Sequence, residues 1–384
     1  SVIKAIKKPE PRNFRIIELI DRESFDYSWH PDETEENYNH VFGCKFHSAE
    51  ILPVIMYRGH NNPTNNKYNN DLHADLQIEK VQYEDSIFDA CIGDKFVTPY
   101  IHFVNGESNI SYDKLVSENM SVHLFGDEAV VPRDSIQYMY DKLTDFDYVI
   151  DHKVSLKQKP LDIIFISNGE TCAEVNYEHL LSLDLPNRIV RVKDVKGRVE
   201  SQHAAANSSE TPWYFLVNAK LRVNENFDFN WQPNIYKSRR HYIFTALNPV
   251  NRLEYGHQAI VANNKKLTLN TVVRGLDFTM DSKTEVVNIN SGLSMYNSSP
   301  WDTYRTAFRE CVKLSGKVIE NQIDIATNYR LAVWCNVVRS VQFARFGLEG
   351  ARAGRVYGLA NKGNVDALKL INNEQWIKSQ YEKI

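Results

Sequence analysis

The 384-residue chain lacks the sequence features that mark several large classes of enzyme and membrane protein. It contains no Gly-rich Walker loop, no GxSxG sequence and no HExxH sequence. These absences argue against P-loop ATPases, α/β-hydrolases and zinc metalloproteases. No run of about 18 uncharged apolar residues occurs either, so we expect no membrane-spanning helix and no membrane partner.

Cysteine and net positive charge are also scarce. The five cysteines are scattered and form no CxxC pair, which is typical of a reducing compartment rather than a disulfide scaffold. The net charge of −4 does not indicate a general nucleic-acid-binding protein. Basic stretches do occur at 188–198, 237–240 and 339–355. We interpret each first as a solvated face, with a phosphate-binding groove as the alternative.

Metal-ligand patterns are similarly weak. "HVFGCKFH" contains His40, Cys44 and His47, but strand alternation would turn His47 to the opposite face from the other two. The sequence therefore predicts no metal-ligating residues in this segment.

What the chain does contain is a repeated phrase. "FDYSWHPD" at 25–32 and "FDFNWQPN" at 227–234 share Phe-Asp, Trp and Pro at the same offsets, 202 residues apart. Similarity at a fixed offset is a fold-level signal, and here it predicts a partial domain duplication. We predict that Trp29 and Trp231 fill the edge of a core and that the aspartates cap turns, with a ligand site as the alternative.

The rest of the chain separates into three regions. Residues 1–152 show short aromatic strands and polar loops, which predict a smaller β-rich N-terminal domain. Residues 160–297 begin with alternating strand and helix patterns, which predict an α/β domain with a mostly parallel sheet. Residues 298–384 are predicted to form a helical C-terminal region packed on that domain.

Two details of the C-terminal region carry specific expectations. Ser299-Pro300 is a favourable helix N-terminus, and 328–347 is predicted to be one long helix. Further along, glycines spaced four apart predict a smooth ridge for close helix packing: Gly350, Gly354 and Gly358.

Ligands of parallel α/β sheets bind at the carboxyl ends of the strands. The predicted strand ends place three segments at that edge: 167–170, 193–198 and 218–220. The strand "WYFLV" is apolar enough to be buried on both faces, so Lys220 is expected where the chain emerges from the sheet. A cation there is expected to be solvated or paired with a ligand phosphate.

The stretch 161–223 resembles the nucleotide-sugar half of GT-A glycosyltransferases. The matching parts are "IIFISNGE", "RVKDVKG", "SQHAAANSSETP" and "WYFLV". With "LNPVNRLEYGHQAIVANN" and "SPWDTYRTAFRECVKL", the second half resembles glycosyltransferase-like proteins encoded by tailed phages of the T4 type. The resemblance covers about 220 residues, and the first 150 match only through the repeated phrase.

The resemblance implies a GT-A-like domain that binds a UDP- or GDP-linked sugar as donor. Candidate donor-binding residues on the predicted edge and the following helix are Glu170, Lys193, Arg198, Asn218, Lys220, Arg305 and Arg309. The phage setting implies the cytoplasm of the infected host cell, or the virion, as location. It also implies a hydroxylated base in phage DNA as the acceptor, while nothing in the sequence indicates an oligomeric state.

One departure from the family pattern matters for the chemistry. Where the family places Asp-x-Asp, this chain has Asn218-Ala219-Lys220. A charged lysine cannot ligate Mg²⁺ or Mn²⁺, which argues against a divalent metal cofactor. Either the Lys220 ammonium neutralises the leaving diphosphate directly, or catalysis is lost and the fold serves as a binding or structural module.

Glycosyl transfer with inversion also needs a group that takes a proton from the acceptor hydroxyl. Asp302, at a predicted helix N-terminus, and His257, in a predicted turn, are the candidates. Helix capping is the alternative role for Asp302, and a purely structural role is the alternative for His257. Arg305 and Arg309 share a helix face with Asp302, where they would clamp a diphosphate or form surface ion pairs.

Overall fold

A computed structural model describes residues 14–20, 39–44 and 53–57, most of 78–154, and residues 159–272, 282–317 and 324–383. The chain divides into two compact units, Ser1–Leu76 and Gln77–Ile384. Residues 77–152, which the sequence analysis assigned to the N-terminal domain, thus share a compact unit with residues 160–384.

In the first unit the described strands form one small sheet. Strand β1 (Phe14–Ile20) pairs in parallel with β2 (Asn39–Cys44), and β2 pairs antiparallel with β3 (Pro53–Tyr57). The first copy of the repeated phrase, with Asp26 and Trp29, lies outside the described residues, as does His47.

The second unit begins with a five-stranded sheet in the order β4-β5-β7-β6-β8. Its elements are β4 (Ile78–Gln82), α1 (Ile87–Gly93), β5 (Tyr100–Val104), β6 (Val122–Leu124), β7 (Ala129–Pro132) and β8 (Val149–Asp151). One face is apolar because Ile101, Phe103 and Val131 alternate inward along their strands, and α1 covers that face with Ile87.

An eight-stranded sheet follows, in the order β10-β9-β11-β15-β13-β16-β12, with β14 paired to β13. Its strands are β9 (Asp162–Ser167), β10 (Ile189–Lys193), β11 (Trp213–Asn218), β12 (Leu221–Val223), β13 (His241–Leu247), β14 (Glu254–Tyr255), β15 (Val261–Asn264) and β16 (Thr284–Ser294). Its helices are α2 (Ala173–Ser182), α3 (Arg198–Ser208) and α4 (Lys265–Asn270).

The prediction of a mostly parallel sheet is wrong for this sheet as a whole. The predicted β-α-β-α-β order is confirmed, because β9 pairs in parallel with both β10 and β11. Beyond β11 the sheet is mixed: β15 runs antiparallel to β11 and β13, and β12 runs antiparallel to β16. Short connections join β13, β14 and β15, whereas a parallel pair needs a crossover of about a dozen residues or more.

The basic segment 237–240 joins the two sheets of the second unit. Lys237 pairs with Glu285 at 2.8 Å, Arg239 with Asp85 at 2.7 Å and Arg240 with Asp141 at 2.7 Å. Arg240 and Lys283 hold the pKa of Asp141 well below its ordinary value despite the opposing effect of burial. This segment is therefore a structural ion-pair cluster, not the solvated face expected from sequence.

The second copy of the repeated phrase is a structural turn, as predicted. Phe227 and Phe229 are buried in the core of the eight-stranded sheet, and the partly buried Trp231 packs against the same core. The Asp228 carboxylate accepts a hydrogen bond from the Asn230 backbone N–H at 2.9 Å. That contact is the turn-capping role expected from the sequence.

Helices form the C-terminal region, as predicted. They are α5 (Pro300–Ser315), α6 (Asp324–Asn336), α7 (Ala344–Ala360), α8 (Val365–Lys369), a 3-10 turn (Leu370–Asn372) and α9 (Glu374–Tyr381). The single helix predicted over 328–347 is wrong: α6 ends at Asn336 and α7 starts at Ala344. The intervening segment is rich in valine, a weak helix former, and Phe343 before α7 is left-handed with φ 58°.

The glycine ridge of α7 packs closely on another helix, as the spacing predicted, and that helix is α5. A Cβ at Gly350 would overlap the carbonyl oxygen of Tyr304, and one at Gly354 would overlap that of Phe308.

Among the described residues no helix is both long enough and apolar enough to cross a membrane.

Candidate functional site

Lys220 lies directly after the carboxyl end of β11, where the sequence placed it. The chain turns at residues 219–220 between β11 and β12. Asn176 holds this turn by donating its side-chain N–H to the Ala219 carbonyl at 2.7 Å, and the Met295 backbone N–H donates to the Lys220 carbonyl at 2.6 Å. The exposed Asn218 caps the turn by accepting the Lys220 backbone N–H at 3.1 Å.

The side chain of Lys220 is buried, whereas the sequence predicted that it would be solvated or paired with a ligand phosphate. It is only 7% exposed, and its Nζ lies 3.3 Å from Oδ1 of Asp302. Burial lowers the pKa of Lys220; Asp302 opposes that shift and the nearby Arg305 adds to it. Lys220 and Asp302 were both candidate site residues in the sequence. The fold brings them together although they are 82 residues apart in the chain.

Asp302 lies in the first turn of α5, after the Ser299 N-cap and Pro300. Its carboxylate accepts four hydrogen bonds: Oδ1 from Lys220 at 3.3 Å and Arg305 at 3.1 Å, and Oδ2 from Ser298 at 3.2 Å and Ser299 at 2.9 Å. Burial alone would raise the pKa of Asp302, but these donors outweigh it and hold the pKa below its ordinary value. Such a carboxylate is a weak proton acceptor.

Three arginines predicted from sequence gather at the C-terminal segment 372–374. Arg198 and Arg309 both donate to Oδ1 of Asn372, at 2.7 Å and 3.2 Å. Arg305, which also binds Asp302, donates to Oε1 of Glu374 at 2.9 Å. An amide and a carboxylate oxygen thus occupy guanidinium donors that would otherwise suit phosphate oxygens.

Asn372 and Glu374 were not found by sequence reasoning. Glu374 lies in the first turn of α9, whose N-cap Asn373 accepts the Trp376 N–H at 3.0 Å. An acidic residue is common at that position for local reasons alone, so no sequence signal distinguished it.

Two other predicted edge residues have different surroundings. Lys193 is about half exposed, with its Nζ 3.6 Å from Glu174 of α2, and Glu174 also binds Arg191. Glu170 accepts the Asn168 N–H at 2.6 Å in the turn after β9, and its charge raises the pKa of Lys220 against the larger effect of burial. Glu170 is therefore part of the electrostatic surroundings of Lys220, whereas Lys193 is turned toward α2.

His257 lies in an aromatic cluster. Its ring stacks on Tyr255 at 5.8 Å and meets the edges of Tyr296 and Trp334 at 5.9 Å and 5.7 Å. Burial would raise the pKa of Glu310, but Lys313 and His257 help to hold it below its ordinary value, and Glu310 accepts a hydrogen bond from Tyr255 at 2.8 Å. Glu310 lies two turns from Asp302 on α5, roughly 12 Å along the axis, so the two predicted catalytic residues occupy separate clusters.

The residues at Asn218-Ala219-Lys220 do not fit a divalent metal. The Lys220 ammonium already neutralises the neighbouring carboxylate of Asp302. Within the part of the chain that the structure describes, no group of three His, Cys, Asp or Glu side chains is arranged to hold a metal ion.

Fold and site together define the second unit as a mixed α/β protein with a buried cation and an arginine group at the carboxyl edge of its parallel strands. No family model, no curated protein and no solved structure matches the chain significantly.

Proposed function

We propose that the second unit binds the diphosphate of a UDP- or GDP-linked sugar without a divalent metal and transfers the sugar to an acceptor. The observation that carries this proposal is the grouping of the buried Lys220 with Arg198, Arg305 and Arg309 at the carboxyl edge of the sheet. That edge is where α/β sheets collect ligands, and guanidinium groups suit phosphate oxygens.

In this proposal Lys220 supplies the charge that a metal ion supplies in GT-A enzymes. As the bond to the sugar breaks, negative charge develops on the diphosphate, and fixed cations stabilise it. The resemblance to phage glycosyltransferase-like proteins extends the proposal to a hydroxylated base in phage DNA as acceptor, in the infected cell or the virion.

A second candidate function is a non-catalytic binding module. It is favoured by one observation: both oxygens of Asp302 are already engaged by four donors, so this carboxylate is poorly suited to take a proton. The first candidate requires a nucleotide sugar, whereas the second is a virion- or host-associated protein that uses the same fold to bind a glycan or another protein.

Calorimetry with UDP- and GDP-sugars, in EDTA and in Mn²⁺, tests the first candidate. We expect binding that is insensitive to EDTA. Absence of binding by any nucleotide sugar would overturn the glycosyltransferase and favour the binding module. Release of free nucleoside diphosphate in the presence of hydroxylated DNA then separates the enzyme from the binding module.

Replacing Lys220 is expected to weaken nucleoside diphosphate binding. Lys220→Ala should cost about 1.5–3 kcal/mol, the range for a hydrogen bond to a charged group. Lys220→Asp should bind still more weakly, with partial recovery in Mn²⁺ that the alanine variant does not show. Calorimetry with UDP and GDP measures the effect.

The matched control is Lys266→Ala, since Lys266 is half exposed and pairs with Glu84 at 3.2 Å. Its affinity should equal that of the parent. Lys220→Met, which keeps the length of the side chain, separates loss of charge from loss of packing. Equal affinity in all Lys220 variants and the parent would show that Lys220 does not contact the ligand.

The ion pair between Glu374 and Arg305 leads to a separate prediction about diphosphate binding. If phosphate competes with the C-terminal segment for the arginines, Glu374→Gln should tighten diphosphate binding by about two- to fivefold, the scale of an exposed ion pair. Glu382→Gln, an exposed carboxylate in the residue after α9, is the control and should change nothing. Weaker binding in Glu374→Gln would mean that the segment supports the site instead of competing for it.

A further inference from the structure

We infer that a second small-molecule site lies in a cleft at the carboxyl end of β12. The cleft has a volume of about 330 Å³, and its walls come from α2, β12, the turn after β12, and the neighbouring strands β13 and β16. That volume is at the lower end of the range for small-ligand sites. Neither Lys220 nor any arginine of the group at the carboxyl edge lines the cleft, so the cleft is distinct from that group.

The half-buried Arg222 is the one basic residue among those that line this cleft besides His179. Arg222 lines it, and among the described residues no hydrogen bond, ion pair or ring contact of its guanidinium is observed. By contrast, the guanidinium of Arg240 forms ion pairs with Asp141 and Glu285. A guanidinium that has no partner among the described residues and lies at the wall of a cleft is suited to a carboxylate or phosphate.

The lining also includes the exposed carboxylate of Glu225, which forms no ion pair with Arg222. The remaining polar side chains of the cleft suit hydroxyls. The side chain of Asn224 is used within the protein, accepting the Asn226 N–H at 3.0 Å and donating to the Asn290 carbonyl at 3.4 Å. That arrangement orders the turn, and Asn226 and Asn290 also line the cleft. Each amide offers donors and an acceptor, which matches hydroxyl groups.

One imidazole of the cleft is oriented by the backbone. Nε2 of His179 lies 2.8 Å from the Val223 carbonyl, so this nitrogen donates and Nδ1 is the acceptor in the neutral ring. Leu247 and Leu293 add an apolar patch to the lining. An anion contact, donor-acceptor pairs and an apolar patch together fit a small polyhydroxylated anion, namely an acidic or phosphorylated sugar.

This assignment does not depend on the proposed function, and calorimetry with defined probes tests it. The probes are glucuronate, glucose 6-phosphate, glucose and inorganic phosphate, each titrated into the full chain. We expect one of the two sugar anions to bind best, and both glucose and inorganic phosphate to bind more weakly. Arg222→Ala should reduce affinity for that sugar anion by about tenfold or more, as expected for loss of a charged hydrogen bond.

Two further variants keep the test decisive. Asn226→Ala changes an exposed turn side chain and should weaken the sugar anion while leaving inorganic phosphate unchanged. Arg305→Ala alters the other site and should leave the sugar anion unaffected, which separates this cleft from the nucleotide site. Unchanged binding in Arg222→Ala, or inorganic phosphate binding as tightly as the sugar anions, would overturn the assignment.

Discussion

Trp231→Ala is expected to lower the free energy of unfolding by about 3–5 kcal/mol, the range for deleting a large core aromatic side chain. The ring of Trp231 lies 5.0 Å from Tyr242, 5.2 Å from Phe244 and 6.3 Å from Phe215, measured between centroids. Its removal leaves a cavity against three rings of the eight-stranded sheet, and urea denaturation followed by circular dichroism measures the loss.

Trp231→Phe is the matched variant, because it keeps an aromatic ring in the same place and should lose less stability. The corresponding change Trp29→Ala tests the repeat itself and is predicted to have a similar cost. A Trp231→Ala protein with full thermal stability but without ligand binding would show that the phrase is a binding site and that the structural interpretation is wrong.

Arg240→Met is expected to destabilise the second unit by about 1.5–3 kcal/mol, the range for losing a hydrogen bond to a charged group, because Asp141 keeps Lys283 and Glu285 keeps Lys237 as partners. Arg240 is only 6% exposed. Its guanidinium donates to Asp141 at 2.7 Å and to Glu285 at 3.0 Å, and both carboxylates would lose this partner. Methionine fills a similar volume, so the loss reports charge pairing more than packing.

The control is Arg345→Met, since Arg345 is 76% exposed and pairs with Glu349 on the same helix at 3.3 Å. An exposed pair of this kind contributes about 0.3–0.5 kcal/mol. In addition, Arg240→Met combined with Asp141→Asn should lose less than the sum of the single changes. Equal losses at Arg240 and Arg345 would show that the 237–240 segment does not join the two sheets energetically.

The sequence by itself determined features that depend on near neighbours. Apolar runs and helical periodicity predicted β9, β10 and β11 with the helices between them, because these patterns reflect burial of local segments. Ser299-Pro300 predicted the start of α5, and the glycine spacing predicted that α7 packs closely on another helix. The strand pattern likewise placed Lys220 directly after β11, since the position follows from where an apolar strand ends.

Only the tertiary structure decided which distant residues meet. The partner of Lys220 is Asp302, and the acceptors for Arg305 and Arg309 are Glu374 and Asn372, all distant in the chain. Propensity and periodicity carry no information about such pairs, because strand order and helix packing set them. For the same reason the sequence could not show that the basic segment 237–240 pairs with Asp85 and Asp141. Nor could it show that the sheet beyond β11 is mixed, with β15 antiparallel to β11 and β13 parallel to β16.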